Sequence, residues 1–152
     1  MIETDTAASY LEYAKVLLID DSEPFQMLTS EMLKKFGVSS VSFASTLVDG
    51  LRKLKYSSHD AFSRPDFDLV LLDVNLPDGN GVHGCDFVTH HAATLDIPVV
   101  VISGAYVPNV VEEAFNSGAS DFLQKPFVGS LLKQRLGSVL MNHALKDPVQ
   151  LV

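Results

Sequence analysis

Short apolar runs recur along the chain, and four of them end at a polar side chain. Lys-Val-Leu-Leu-Ile runs into Asp20 and Asp21, Leu-Val-Leu-Leu into Asp73, Pro-Val-Val-Val-Ile into Ser103, and Asp-Phe-Leu-Gln into Lys125. Runs this short, with little polar alternation, predict strands buried on both faces, the pattern of a parallel sheet. Strands are expected at 15–20, 41–44, 68–73, 98–103 and 120–124. Between them the apolar period lengthens to that of a helix. Phe25, Leu28, Met32, Leu33 and Phe36 share one face of a helix from Pro24 to Phe36, which Ser22 is placed to cap and Gly37 to close. Leu47, Leu51 and Leu54 mark a second helix from Thr46 to Tyr56. A third is expected near Cys85 to Ala93, after the turn-rich Asn75-Leu76-Pro77-Asp78-Gly79-Asn80-Gly81. Val107, Val110, Val111, Ala114 and Phe115 mark a fourth, and Leu132, Leu136, Val139 and Leu140 a fifth from about Gly129 to His143.

Strict alternation of strand and helix predicts an α/β fold with helices on both faces of the sheet. Right-handed crossovers reduce the choices to few. The reading is a doubly wound five-stranded parallel sheet of order 2-1-3-4-5, a flavodoxin-like (βα)5 architecture, with its switch point beside strands one and three. Asp20, Asp21 and Asp73 would meet there. One domain is expected at 15–143, preceded by an extension at 1–14 and followed by a tail at 144–152. The extension would dock as a partial turn of helix through Tyr10, Leu11 and Tyr13. The polar segment from Ser57 to Phe67 is long for a connection of this kind and reads as a surface insertion.

Composition narrows the function classes. A chain of 152 residues, 47% of them apolar, builds one full core. A formal net charge of -8 opposes direct binding to nucleic acid or to anionic lipid. No apolar stretch is long enough to span a membrane and the first residues lack the order of a signal peptide, so the chain reads as cytoplasmic. Cys85 is alone and reads as a small buried hydrophobe. His90 and His91 look like a metal pair, but adjacent helical residues point about 100° apart, which favours two surface histidines.

The acidic cluster demands a partner. Two carboxylates about 5 Å apart repel by roughly 3 kcal/mol at an effective dielectric near 20, so three in one crevice need neutralising charge. Oxygen-only donors favour Mg²⁺, or Mn²⁺, over Zn²⁺. A hydroxyl at Ser103 and an ammonium at Lys125 aimed at the same place suit a phosphoryl anion. A carboxylate can attack phosphorus to give an acyl phosphate, with positioning and charge stabilisation supplying most of the acceleration.

With these residues in place the chain resembles the response-regulator receiver domain of two-component signalling over about residues 15–143. The resemblance rests on Asp20-Asp21, on Asp73 within Leu-Leu-Asp-Val-Asn-Leu-Pro-Asp-Gly-Asn-Gly, on Ser103-Gly104-Ala105 and on Lys125-Pro126-Phe127. Separations of 30 residues from Asp73 to Ser103 and 52 from Asp73 to Lys125 fit that family's pattern. The resemblance implies that Asp73 accepts a phosphoryl group from a phosphohistidine on a histidine kinase or a histidine phosphotransfer protein. It implies Mg²⁺ bound by Asp21, Asp73 and the backbone carbonyl of Asn75, with Asp20 acting through metal-bound water. Ser103 would then move toward the phosphate and Phe122 would turn inward, altering the surface of the fourth helix, fifth strand and fifth helix. That surface is also where the family can form a homodimer. A cis peptide at Lys125-Pro126 is a further implication. Asn75 and Ala105 flank the path of attacking water, which leads to an expectation of slow to intermediate self-dephosphorylation.

Two other readings use the same residues. A phosphatase of the haloacid-dehalogenase type also forms an aspartyl phosphate with Mg²⁺, but its general acid, two places after the nucleophile, is Asn75 here. A flavin-binding flavodoxin would need a hydroxyl- and amide-rich loop where Asp20-Asp21 stands. The output is either a downstream protein contacted by a stand-alone regulator or a fused domain in a longer protein.

Overall fold

A computed structural model describes residues 6–56, 66–91, 94, 96–105 and 107–146. Five strands form one sheet: β1 Lys15–Ile19, β2 Ser40–Ala44, β3 Leu69–Asp73, β4 Val99–Ser103 and β5 Asp121–Gln124. All neighbours run parallel in the order β2-β1-β3-β4-β5. The helices are α1 Glu23–Lys35, α2 Leu47–Tyr56, α3 Gly81–His90, α4 Pro108–Asn116 and α5 Gly129–Leu145. A two-residue hairpin, Asn75–Leu76 with Gly79–Asn80, links β3 to α3. The expected architecture is therefore the observed one.

Parallel pairing buries both faces of the central strands, so alternate side chains feed two cores. Val16, Leu18, Leu69, Leu71, Val100, Ile102 and Leu123 join residues of α1 and α5 on one side. Leu17, Ile19, Val70, Leu72, Val99, Val101 and Phe122 join residues of α2, α3 and α4 on the other. Each of β1, β3 and β4 contributes four or five fully buried positions, each large apolar one worth about 1.5–3 kcal/mol in water-excluded area. These strands are the rigid frame on which the polar edge is mounted.

Three local expectations need correction. Helix α1 turns Gln26, Thr29, Ser30 and Leu33 to the protein interior, while Leu28 is 53% exposed. The other four expected positions hold: Leu33 is fully buried and Phe25, Met32 and Phe36 pack against the same core, Phe25 meeting Phe127 and Gly129 at the start of α5 lying beside Phe36 and Met32. Helical periodicity shows that a stripe exists but not whether a sheet or another helix covers it. Helix α3 begins at Gly81, four residues before Cys85, because Asn80 Oδ1 accepts the Val82 N–H at 2.7 Å and caps it. Turn-forming residues hid that start, since asparagine and glycine serve caps as readily as loops.

The third correction concerns the residues before β1. Ala8–Leu11 form a short 3-10 helix packed on α5. Leu11 is fully buried, whereas Tyr10 and Tyr13 are 37% and 80% exposed, so one anchor of the three holds the segment. Gly137 lets it approach: a Cβ there would lie 2.7 Å from the Ala7 carbonyl oxygen. Most of the polar insertion at 57–67, the end of the third expected helix at Ala93 and the last residues of the tail lie outside the described residues. No helix among the described residues is long and apolar enough to cross a membrane.

Candidate functional site: an acidic edge with one ammonium

Strand register places the polar residues in a staircase along the carboxyl edge. Ile19 stands opposite Leu72, so Asp20 and Asp73 follow at the same level on β1 and β3. Asp73 pairs with Ile102, which sets Ser103 one residue beyond it, and Ser103 pairs with Gln124, which sets Lys125 one further. The edge sits at the point where the strand order reverses direction, the usual ligand crevice of open α/β sheets.

Carboxylate oxygens of Asp20, Asp21 and Asp73 all lie within 4.8 Å of one another. Among the described residues this is the only group of acid, histidine or cysteine side chains close enough to share a metal. Asp20 is wholly buried, Asp73 is 5% exposed, and Asp21 is exposed at the mouth. The donor set fits a hard divalent cation: it is all oxygen, carries three negative charges, and leaves one side open to water. Burial, then the charge of Asp20, pushes the Asp73 carboxyl up from 3.8 to about 6, against the opposing pull of Lys125 and of the Asn75 N–H.

Among the described residues Lys125 supplies the one ammonium in the cluster. Its Nζ lies 2.5 Å from Asp20 Oδ2 and 3.5 Å from Asp73 Oδ2, on a side chain 19% exposed. The Lys125-Pro126 peptide is cis, as expected. Ser103 is buried beside them, and its Oγ accepts the Ala105 N–H at 3.2 Å, leaving the hydroxyl proton for a further acceptor. A side chain at Gly104 would meet nothing within 4 Å, so the mouth is open there. Asn75 is exposed and donates its N–H to Asp73 Oδ1 at 3.3 Å.

Two supporting residues escaped sequence reasoning, and a third does more than was expected of it. The Gln26 side-chain amide donates to the Asp20 carbonyl oxygen and lies 3.4 Å from Ser45 Oγ, tying α1 to the ends of β1 and β2. Ser22 caps α1 as expected, its Oγ accepting the Phe25 N–H at 3.3 Å, and its own N–H also holds Asp20 Oδ1 at 2.8 Å. Asp78 accepts the N–H groups of Leu47 and Val48 at 2.7 and 2.9 Å, so the loop after Asp73 caps helix α2. These donors hold the Asp78 carboxyl below its ordinary range. Only the acid at position 78 signalled this, and its partner is 31 residues upstream.

The remaining expected positions are placed as follows. Phe122 is 8% exposed and already lies in the core on the α2, α3 and α4 side of the sheet, in register with Val101 of β4. Asp121, beside it on β5, binds Arg135 of α5 through Nε at 2.6 Å. His90 Nδ1 is engaged by the Asp86 carbonyl at 2.8 Å and the His91 ring stacks on Phe87, so the two histidines do not converge. Cys85 is fully buried and burial pushes its thiol up, consistent with an inert packing role.

Residues 16–137 match the response regulator receiver domain. The KDP operon transcriptional regulatory protein KdpE of Escherichia coli (strain K12) is 31% identical over 129 residues, covering 85% of this chain and 52% of that protein. The transcriptional regulatory protein YxdJ of Bacillus subtilis (strain 168) is 28% identical over 127 residues, covering 82% of this chain and 49% of that protein. The chain thus spans about half the length of the curated relatives it matches. Among solved structures, a CheY-like response regulator receiver domain protein from Methanospirillum hungatei shares the fold with a TM-score of 0.76 at 21% identity, covering 89% of this chain and 99% of that one.

Proposed function

The chain belongs to the family of response regulator receiver domains, regulatory domains of two-component signalling, and we propose that it is a phosphorylation-activated switch in which Asp73 takes a phosphoryl group from a phosphohistidine. The observation that carries this reading is the convergence of one nearly buried aspartate, two further carboxylates and one lysine ammonium at the carboxyl edge of the sheet. An oxygen of Asp73 forms a bond to phosphorus as the P–N bond to the donor imidazole breaks, and the imidazole leaves with a proton. Asp20, Asp21, Asp73 and the Asn75 carbonyl would hold Mg²⁺, with Mn²⁺ as a substitute. When bound, the metal offsets charge on the nucleophile and on the transferring oxygens.

The side chains of this protein do the rest. Lys125 shifts its ammonium from Asp20 toward a phosphoryl oxygen, and Ser103 donates its hydroxyl proton to another. Because Ser103 ends β4 and precedes the turn to α4, its movement biases the surface of α4, β5 and α5, a population shift driven by local hydrogen bonding. Phe122 supports the inward state from its place in the core beneath α4. The downstream element is a partner protein or a fused output domain, and self-association through α4, β5 and α5 is one mode of assembly. Exposed Asn75 and Ala105 flank the approach of water, consistent with slow to intermediate loss of the phosphoryl group in a cytoplasmic switch.

The direct test is incubation with acetyl phosphate and Mg²⁺ followed by intact-mass measurement. The wild type should gain one acid-labile phosphoryl group that hydroxylamine also removes, and Asp73→Asn should gain none. Labelling retained in that variant would move the acceptor elsewhere.

A further inference from the structure

The Lys125 ammonium has a third neighbour besides its two carboxylates. Its Nζ stands 4.1 Å from the centroid of the Phe25 ring. We infer that Phe25 is a positioning residue for Lys125: its ring face forms the apolar wall against which the ammonium is held between Asp20 and Asp73. The inference rests on the proposed phosphoacceptor role of Asp73 and adds to it a residue that touches neither metal nor phosphate.

Three observations support a dedicated arrangement. First, Phe25 is anchored to the same turn as the acidic pair: its N–H donates to Ser22 Oγ at 3.3 Å, while the Ser22 N–H holds Asp20 Oδ1 at 2.8 Å. Second, the ring is braced by Phe127, edge-on at 5.5 Å and 78°, from the loop that carries Lys125. Lys125 and Phe127 therefore grip one ring from a single loop, and α1 and the β5–α5 connection lock together at the site. Third, a second ammonium–ring contact among the described residues, Lys133 over Phe36, is longer at 5.8 Å and involves an exposed lysine. The negative face of an aromatic ring attracts a cation most when water is excluded, and Lys125 is the better shielded of the two.

The chemical role follows from what Lys125 must do. It leaves one carboxylate for a phosphoryl oxygen, and an aliphatic wall would offer that passage no electrostatic support. A ring face stabilises the ammonium while it is only partly engaged by oxygen, so the reactive geometry is reached without hydrating the lysine. A hydrocarbon of similar bulk would keep the packing and lose this effect.

The experiment compares the wild type, Phe25→Leu and Phe25→Tyr by two readouts. One is the rate of phosphoryl gain from acetyl phosphate with Mg²⁺; the other is the proton NMR shift of the Lys125 ε-methylene, recorded with no phosphodonor. The expected result is an upfield ring-current shift in the wild type and the tyrosine variant that is lost in the leucine variant. Phosphorylation should slow about fivefold in Phe25→Leu and return to within about twofold in Phe25→Tyr. Thermal melting of each variant checks that the fold persists, and the wild-type shift tests the contact even if Phe25→Leu does not fold. A wild-type rate in Phe25→Leu, equal losses in both variants, or no ring-current shift in the wild type would overturn the inference. Failure of the wild type to gain phosphate at all would instead defeat the phosphoacceptor reading.

Discussion

Lys125 is bonded first to Asp20 and only second to Asp73: its ammonium is 2.5 Å from one carboxylate and 3.5 Å from the other. The carboxylate that is wholly buried thus receives the closer cation, and the one that would react is left under-compensated. Burial first, and then the charge of Asp20, raise the Asp73 pKa to about 6 despite the pull of Lys125, so its ionised form is disfavoured in the folded protein.

Replacing Asp73 by Asn should therefore stabilise the protein, and the gain should depend on pH. Between about pH 4 and 6 the folded state holds more protons on Asp73 than the unfolded state does, so its contribution to stability falls as pH rises through this window. Urea unfolding should show Asp73→Asn more stable by about 1–3 kcal/mol at pH 7.5, with the difference vanishing below about pH 4. A gain that persists unchanged at pH 3.5 would show that the carboxylate charge is not its source.

Protons and a divalent cation compete for the same oxygens. Mg²⁺ affinity, followed by calorimetry, should be nearly flat above pH 7 and fall by about tenfold per pH unit well below the Asp73 pKa. Asp21→Asn, at the exposed mouth, should weaken binding by about tenfold without lowering the melting temperature. Undiminished affinity in that variant would remove Asp21 from the ligand set.

Two glycines near the site should behave in opposite ways. A Cβ on Gly81 would lie 2.0 Å from the Asp73 carbonyl oxygen, a backbone clash that no rotamer relieves. Gly81→Ala should cost about 2 kcal/mol or more and slow phosphorylation, because the Asp73 backbone must move. Gly104→Ala meets open space and should change stability by less than about 0.5 kcal/mol. Equal effects in denaturant melts would show that the α3 start does not press on Asp73.

The segment before β1 should prove to be part of the folding unit. Leu11→Ala removes a fully buried side chain from the segment packed on α5 and should lower stability by about 2–5 kcal/mol. Tyr13→Ala, at an exposed side chain, should change it by less than about 0.5 kcal/mol. Comparable small effects from both would mean the segment merely rests on the surface.

Asp78→Ala should loosen helix α2 from a distance. The amides of Leu47 and Val48 lose their acceptors, so hydrogen exchange there should quicken and the melting temperature fall by a few degrees. The same contact should weaken in acid, since a carboxylate whose pKa is depressed in the folded state gives up its stabilisation as pH falls through that pKa. Unchanged exchange at Leu47 would show that water replaces the cap at no cost.

The central strands were readable because burial on both faces writes a continuous apolar run, and the polar residue that closes or follows each run marks the carboxyl edge of the sheet. That is why Asp20, Asp73, Ser103 and Lys125 could be placed on one edge from order alone. Helix boundaries were less readable where caps and turns use the same residues, as at Asn80 and Gly81. On α1 the apolar stripe packs as its period predicts except at Leu28, while the polar Gln26, Thr29 and Ser30 turn inward beside Leu33, which periodicity does not reveal.

The sequence by itself determined the fold class, the edge and the residue types on it, because periodicity and strand order are local or nearly so. Only the tertiary structure decided which oxygen the Lys125 ammonium prefers, that Phe25 lies beneath it, and that Asp78 caps a helix 31 residues back. Those facts depend on distances of a few ångströms between segments far apart in the chain. Register, helix packing and loop approach set such distances together, and no spacing along the sequence encodes them one at a time.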